Sequence, residues 1–407
     1  MEQLLEKYAN LAVKIGANIQ EGQKLLVRAT IETAPFVRKI IKKAYEAGAA
    51  DVHVLWSDEE SSRIRYELAP DAAFEEFPEY LVKAHDVAVE ENWALLSVVA
   101  MDPDLLKGIP AERIASANKA AAMAMENFRV ALMSDKVSWS IVAVPSAAWS
   151  AKVFPDLPAD KQQEALWEAI FKATRADLED PVAEWEKHIA TLNEKGEFLN
   201  SKKFKSLHFK APGTDLTIDL PPKHLWVSAG SFNEKGDRFV ANIPTEEVFT
   251  MPAKEGVNGT VASTKPLSYG GNLIDNFSLT FEKGRIVDFS AEQGYETLKH
   301  LIETDEGSHY LGEVALVAHN SPISNSNLVF YNTLFDENAS VHLAIGSAYA
   351  FNLDGGKTMT KEELLENGAN QSLTHVDFMV GSGELDIDGI TEDGTIIPIF
   401  KKGDWEL

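Results

Sequence analysis

The stretch KLLVRATIETAPFVRKIIKKAYEAGAADVHVLW, residues 24 to 56, decides the fold of the first half of the chain. KLLVRAT (24–30) is a short apolar run, and DVHVLW (51–56) is a second. Between them Thr33-Ala34-Pro35 opens a helix, because proline is tolerated where the first backbone N–H groups lack a helical partner. The segment continues PFVRKIIKKAYEAG and stops at Gly48. Strand, helix and strand in that order make a β-α-β unit, so a parallel sheet is expected.

The neighbouring sequence extends this unit. Upstream, Leu4, Leu5, Tyr8, Leu11, Ala12 and Ile15 recur at spacings of three and four, which predicts an amphipathic helix. Downstream, WALLSVVA (93–100) and WSIVAVP (139–145) alternate with helical patterns such as IPAERIASANKAAAMAMENF. Residues 159–193 are charged and helix-periodic. The character then changes. FKSLHFKAPGTDLTIDLP (204–221) has two alternating runs around a Pro-Gly turn and reads as a hairpin. β-type segments dominate from there: RFVANIP, GTVASTKPL, FSLTFEKGRIVDFS, GEVALVA, SVHLAIG, THVDFMVGS and GTIIPIF. The expectation is an α/β N-terminal domain with a parallel-type sheet over residues 1–200. An α+β C-terminal domain, with mostly antiparallel sheet and the chemistry, should follow over residues 201–407.

Two domains also suit the length, because 407 residues exceed one ordinary core. The absence of cysteine excludes disulfides and thiolate metal sites and suits a reducing cytoplasm. The first residues are charged throughout and do not read as a signal peptide. No apolar run reaches about 18 residues, so no membrane span is expected. A net charge of −25 argues against nucleic acid or an anionic membrane surface as partner.

His375 and Asp377 sit two residues apart in the apolar run LTHVDFMVGS (373–382), so both face the same side of a strand. In isolation, that pair reads as a satisfied core histidine. Other segments of the same half place similar groups in or beside apolar runs. NIPTEEVFT (242–250) holds Glu246 and Glu247, LGEVALVA (311–318) places Glu313 just ahead of an apolar strand, and VHLAIGSAY (341–349) holds His342 and Tyr349. Ionised carboxylates in such places are costly unless paired or bound to a cation. A pair of divalent metals would supply the positive centre through oxygen and nitrogen ligands. Adjacent strand residues face opposite sides, so Glu246 and Glu247 do not both reach one metal, and periodicity does not choose between them. Glu337, five residues before His342, reads on its own as a loop residue. His208, His224, His300, His309 and His319 lack comparable carboxylate context.

Two glycine pairs carry no nucleotide motif. In LDGGKTMT, Phe351 stands where a P-loop needs its first glycine, and YGGNLIDN (269–276) lacks the G-x-G-x-x-G spacing, so both read as turns. No G-x-S-x-G elbow and no H-E-x-x-H helix is present.

The segments NIPTEEVFTMP, GGNLIDNFSLTFEKGRIVDFSAEQG, GEVALVAHNSPIS, FYNTLFDENASVHLAIGSAY and THVDFMVGS, in that order, resemble the aminopeptidase T, aminopeptidase S and PepS family of metallopeptidases. The motifs concentrate in residues 240–385, while the N-terminal half matches in general character and length. The resemblance implies a cytoplasmic homodimer that removes N-terminal residues from short peptides with a free N-terminus. It implies two divalent metal ions per subunit, with zinc, cobalt, manganese and magnesium all compatible. It also implies that Glu247 rather than Glu246 is a ligand and that Glu313 bridges. Glu337, His342, His375 and Asp377 become the other ligands. Tyr349 becomes a catalytic or metal-proximal phenol that would help stabilise the oxyanion. Apart from the resemblance, Glu246 reads either as an outer group or general base or as a residue on the opposite strand face. Two rival readings stand beside this: a metal-dependent hydrolase of another amide or a phosphoester, and a non-catalytic acidic binding protein.

Overall fold

The computed structural model describes residues 1–270 and 272–407. The turn expected at YGG includes Gly271, which lies outside the described residues. The chain divides into two compact units, and the division is not a single cut near residue 200. One unit is Met1–Glu186 with Gly230–Pro244, and the other is Lys187–Ala229 with Thr245–Leu407.

The first unit is built on five strands: β1 (Lys24–Thr30), β2 (Asp51–Ser57), β3 (Ala94–Val99), β4 (Trp139–Ala143) and β5 (Asn242–Ile243). They run in the order β2-β1-β3-β4-β5, and every pair is parallel. β5 explains the discontinuity. After the hairpin strands of residues 206–219, the chain returns to add an edge strand to the N-terminal sheet, pairing Ile141 with Asn242 and Val142 with Ile243. The β1–β2 crossover is the helix Ala34–Glu46, with proline in its first turn and Gly48 in the left-handed region at its end. Leu25, Leu26 and Val27 are successive buried residues of β1, the signature of a sheet covered on both faces. The first helix is pinned to the sheet by Tyr8, whose hydroxyl donates to the Ala143 carbonyl at 3.0 Å and accepts from the Ala143 N–H at 3.2 Å.

The second unit holds two sheets. The larger, nine-stranded among the described residues, includes the expected hairpin Ser206–Ala211/Thr214–Asp219. The smaller has four strands, β6 (Glu247–Thr250), β7 (Leu311–Val317), β8 (His342–Gly346) and β9 (His375–Met379). Their order is β6-β7-β8-β9, antiparallel throughout. Gly346 faces His375 across the β8–β9 pair with φ +113°, and a Cβ there would lie 2.2 Å from the Thr374 carbonyl oxygen. Only glycine permits β9 to approach β8 so closely at that point. Among the described residues no helix is long and apolar enough to cross a membrane.

One buried titratable group in the first unit makes its stability depend on pH. His85 packs edge-on against Phe128 with ring centroids 4.5 Å apart and donates from Nδ1 to the Leu81 carbonyl at 2.7 Å. Its Nε2 is buried without a hydrogen-bond partner. Burial pushes the ring's pKa below the ordinary histidine value and outweighs the opposing bond to Leu81. The folded state therefore binds this proton less readily than the unfolded chain. The resulting stability is fully present above the unfolded pKa of about 6.5 and is lost as pH falls below it. Urea midpoints measured between pH 5 and pH 7.5 should show the wild type losing stability relative to His85→Phe toward the acid end. A difference between the two that stays constant over this range would exclude the effect.

Candidate metal centre

The four-stranded sheet places its ionisable side chains on one face because the register aligns them. Phe249 of β6 faces Ala315 of β7, which faces His342 of β8, which faces Met379 of β9. In the next row Glu313 faces Ala344, and Ala344 faces Asp377. Glu247 lies two residues before Phe249 and His375 two before Asp377, so both join the same face. Alanines 315 and 344, together with Gly346, are the residues between the ionisable ones. They form a floor low enough for long side chains to lean over. The pairing shifts register between Leu311 and Glu313, so that Glu313 aligns with Ala344.

Two groups with ligand-like spacing result. Glu247, Glu313 and His342 form one, and Glu313, His375 and Asp377 form the other, with donor atoms within 4.8 Å of one another in each. Glu313 is common to both. His342 Nε2 lies 3.2 Å from Glu247 Oε2 and 3.6 Å from Glu313 Oε1. His375 Nε2 lies 3.3 Å from Glu313 Oε2 and 3.4 Å from Asp377 Oδ1.

The opposite edges of the two rings fix the proton positions. His342 Nδ1 is 3.2 Å from the Ser340 carbonyl oxygen, and His375 Nδ1 is 2.7 Å from that of Ser347. A carbonyl only accepts, so Nδ1 carries a proton in both rings. Each Nε2 is then either a second donor on a charged ring or a lone pair aimed at carboxylate oxygens. The second arrangement requires a cation between them. With protein atoms alone, protons serve as that counter-charge. Burial disfavours the imidazolium of His342, yet its bonds to Glu247 and Glu313 hold its pKa well above the ordinary value. His375 is also held well above, with Tyr349, Asp377 and Glu313 outweighing its burial. Burial pushes the Glu247 carboxyl up. Asp377 is lowered, because His375 overcomes the effect of burial.

The donor set fits a divalent cation. Asp377 Oδ1 is buried and has His375 Nε2 only at the long distance of 3.4 Å. Both imidazoles are oriented by backbone carbonyls, the outer-shell arrangement that presents Nε2 to a metal. The available donor atoms are oxygen and nitrogen, which suits borderline and hard cations.

The remaining candidates take different places. Glu313 lies inside β7 and is 4% exposed, not ahead of the strand as its sequence context suggested. Glu337 sits in a buried 3-10 turn, Glu337–Ala339, rather than an open loop. It falls in neither group of three, but burial and then the charges of Asp377 and Glu247 push its carboxyl well up. Of the glutamate pair, Glu247 joins the face and opens β6, while Glu246 precedes the strand. The Glu246 carboxylate is 3.5 Å from His188 Nε2, and its N–H donates to Asn338 Oδ1 at 2.7 Å. Tyr349 lies beyond the end of β8 with its ring 4.7 Å from that of His375. His375 pulls the phenol's pKa down, but burial and the surrounding carboxylates together raise it, so the phenol keeps its proton. Sequence reasoning missed His188 and Asn338, which are partners of Glu246. It also missed the small-residue floor, although Glu-x-Ala-x-Val in β7 and His-x-Ala-x-Gly in β8 carry that signal.

Comparison with known proteins gives this arrangement its context. The chain is 57% identical over 403 residues to aminopeptidase AmpS of Bacillus subtilis, covering 99% of this chain and 98% of that one. It is 54% identical over 404 residues to aminopeptidase 2 of Geobacillus stearothermophilus, with the same coverage. The solved structure of wild-type AmpT from Thermus thermophilus superposes with a TM-score of 0.94 at 42% identity, covering 100% of both chains. The family described as thermophilic metalloprotease (M29) matches residues 1–405, and the chain belongs to that family.

Proposed function

We propose that the chain is a metal-dependent aminopeptidase that releases N-terminal residues from short peptides at a centre of two divalent cations. Glu247, Glu313, Glu337, His342, His375 and Asp377 would hold them. The observation that carries the two-cation reading is the pair of donor groups sharing Glu313, whose two carboxylate oxygens would be available to two neighbouring cations. Charge supports it as well. Glu247, Glu313, Glu337 and Asp377 carry four negative charges when ionised, the imidazoles are neutral as ligands, and two divalent cations restore neutrality. Oxygen and nitrogen ligation admits zinc, cobalt, manganese or magnesium. The names of the relatives supply the reaction class. The family resemblance supports a homodimer, and the lack of cysteine suits the cytoplasm.

When bound, such a pair polarises the scissile carbonyl and activates water near neutral pH. The chain's own residues do the rest. The Ser340 and Ser347 carbonyls hold the imidazoles so that Nε2 faces inward. The protonated Tyr349 phenol beside His375 donates to the oxygen on which charge develops. A free α-ammonium group finds carboxylates at this face, whereas an acylated N-terminus offers neither charge nor donors of that kind. Glu246, turned toward His188, steadies the start of β6 and is a candidate general base.

Chelator-treated protein should recover Leu-p-nitroanilide hydrolysis when one of the four metals is returned, and should leave the N-acetylated analogue intact. His375→Ala and Asp377→Ala should each lose more than the roughly 10–100-fold typical of removing an outer partner. Activity indifferent to chelator, or equal activity on the acetylated compound, would defeat the proposal. The floor gives a separate check. Ala344→Leu should add side-chain volume between Glu313 and Asp377 and weaken metal binding by at least about tenfold. Elemental analysis after equilibrium dialysis would show this, beside a thermal melt to register the overpacking cost of about 1–3 kcal/mol. Full metal content in that variant would mean the floor does not support the centre.

A further inference from the structure

The ionisable face is not shielded evenly. Glu313 and His342 are buried, whereas Glu247, His375 and Asp377 are only partly so. Three aromatic rings, all partly exposed, stand beside these accessible groups. Phe249 shares the face with Glu247, two residues along β6. Its ring meets Tyr349 edge-on at 6.2 Å and 69°, and Phe351 at 6.0 Å and 78°. Tyr349 and Phe351 stack at 5.0 Å with only 10° between their planes. Tyr349 in turn rests on His375.

The rings are held as one unit. Asn352 is 1% exposed, and its Nδ2 donates to the carbonyls of Leu225 and Phe249, both at 3.3 Å. The Leu225 N–H donates back to the Asn352 carbonyl at 2.8 Å. Phe249 and Val227 exchange backbone bonds in both directions at 2.9 Å. The loop bearing Tyr349 and Phe351 is thus latched to the strand bearing Glu247 and Phe249.

We infer that Phe249 and Phe351 are specificity-determining residues that form the wall against which the first side chain of the substrate lies. The inference rests on the aminopeptidase reading. The carbonyl to be cleaved is bonded directly to the α-carbon that carries that side chain. With the carbonyl at the ionisable face, the side chain falls on whatever lines the face's open edge, and here that lining is aromatic. Water leaves these rings when a large apolar side chain covers them, and stays when the side chain is a methyl group or a hydrogen. Leucine and phenylalanine at the N-terminus should therefore be favoured over alanine and glycine.

The test is the ratio of kcat/KM for Leu- and Phe-p-nitroanilide to that for Ala-p-nitroanilide, with the metal-loaded enzyme. The wild-type ratio should be at least about tenfold, the range a few methylenes supply in an apolar pocket. Phe249→Ala and Phe351→Ala should lower it at least about fivefold, and Phe249→Tyr should restore most of it. Phe351→Leu keeps an apolar side chain of intermediate size and guards against a misfolded alanine variant. It should lower the Phe ratio more than the Leu ratio, since it removes ring stacking but not apolar contact. Calorimetric titration with free L-phenylalanine and L-alanine should show the same order in the wild type, lost in Phe249→Ala. Variants that weaken all substrates in proportion would mean the rings are structural and would overturn the wall alone. No release from any substrate by the wild type would overturn the aminopeptidase reading and the wall with it.

Discussion

Carboxylates and imidazoles of one small sheet share a face whose groups repel unless something positive lies among them. At separations near 4 Å and an effective dielectric constant of about 20, each pair of like charges costs on the order of 4 kcal/mol. What relieves this is a proton or a cation at Nε2, which each imidazole, clamped at Nδ1 by a backbone carbonyl, turns toward the acids. Other features follow from it. The small residues at positions 315, 344 and 346 leave space above the sheet, the register shift before Glu313 brings it level with Ala344, and Gly346 lets the last strand close in.

The sequence was most legible where periodicity is strong. The β-α-β unit at residues 24–56 and the hairpin at 206–219 stand where alternation and turn residues place them. His375 and Asp377 were recognisable as a same-face pair because a strand has a period of two. What stayed hidden depends on pairing between segments. A two-residue strand such as Asn242–Ile243 has no period to read, and nothing local says that it returns to the N-terminal sheet. Whether Glu313 leads a strand or lies inside it turns on which residues of β8 it faces. Glu337 belongs to a short turn with no repeating pattern, so its burial beside the other carboxylates was visible only through resemblance.

The same distinction separates Glu246 from Glu247. Neighbours in sequence, they fall on either side of the start of β6, and each meets a different set of partners. Glu247 meets His342, while Glu246 meets His188 and is tied through its backbone to Asn338. One residue of register converts a potential ligand into a brace.

The five side chains of the two donor groups come from four strands scattered between Glu247 and Asp377, with several helices and other strands threaded between them. No contiguous fragment short of that whole span carries the set. The last two members lie near the C-terminal end of the chain. A polypeptide still being synthesised, or one cut within this region, therefore holds acids and imidazoles but no centre. Long-range strand pairing thus ties assembly of the donor set to the folding of the whole span from Glu247 to Asp377.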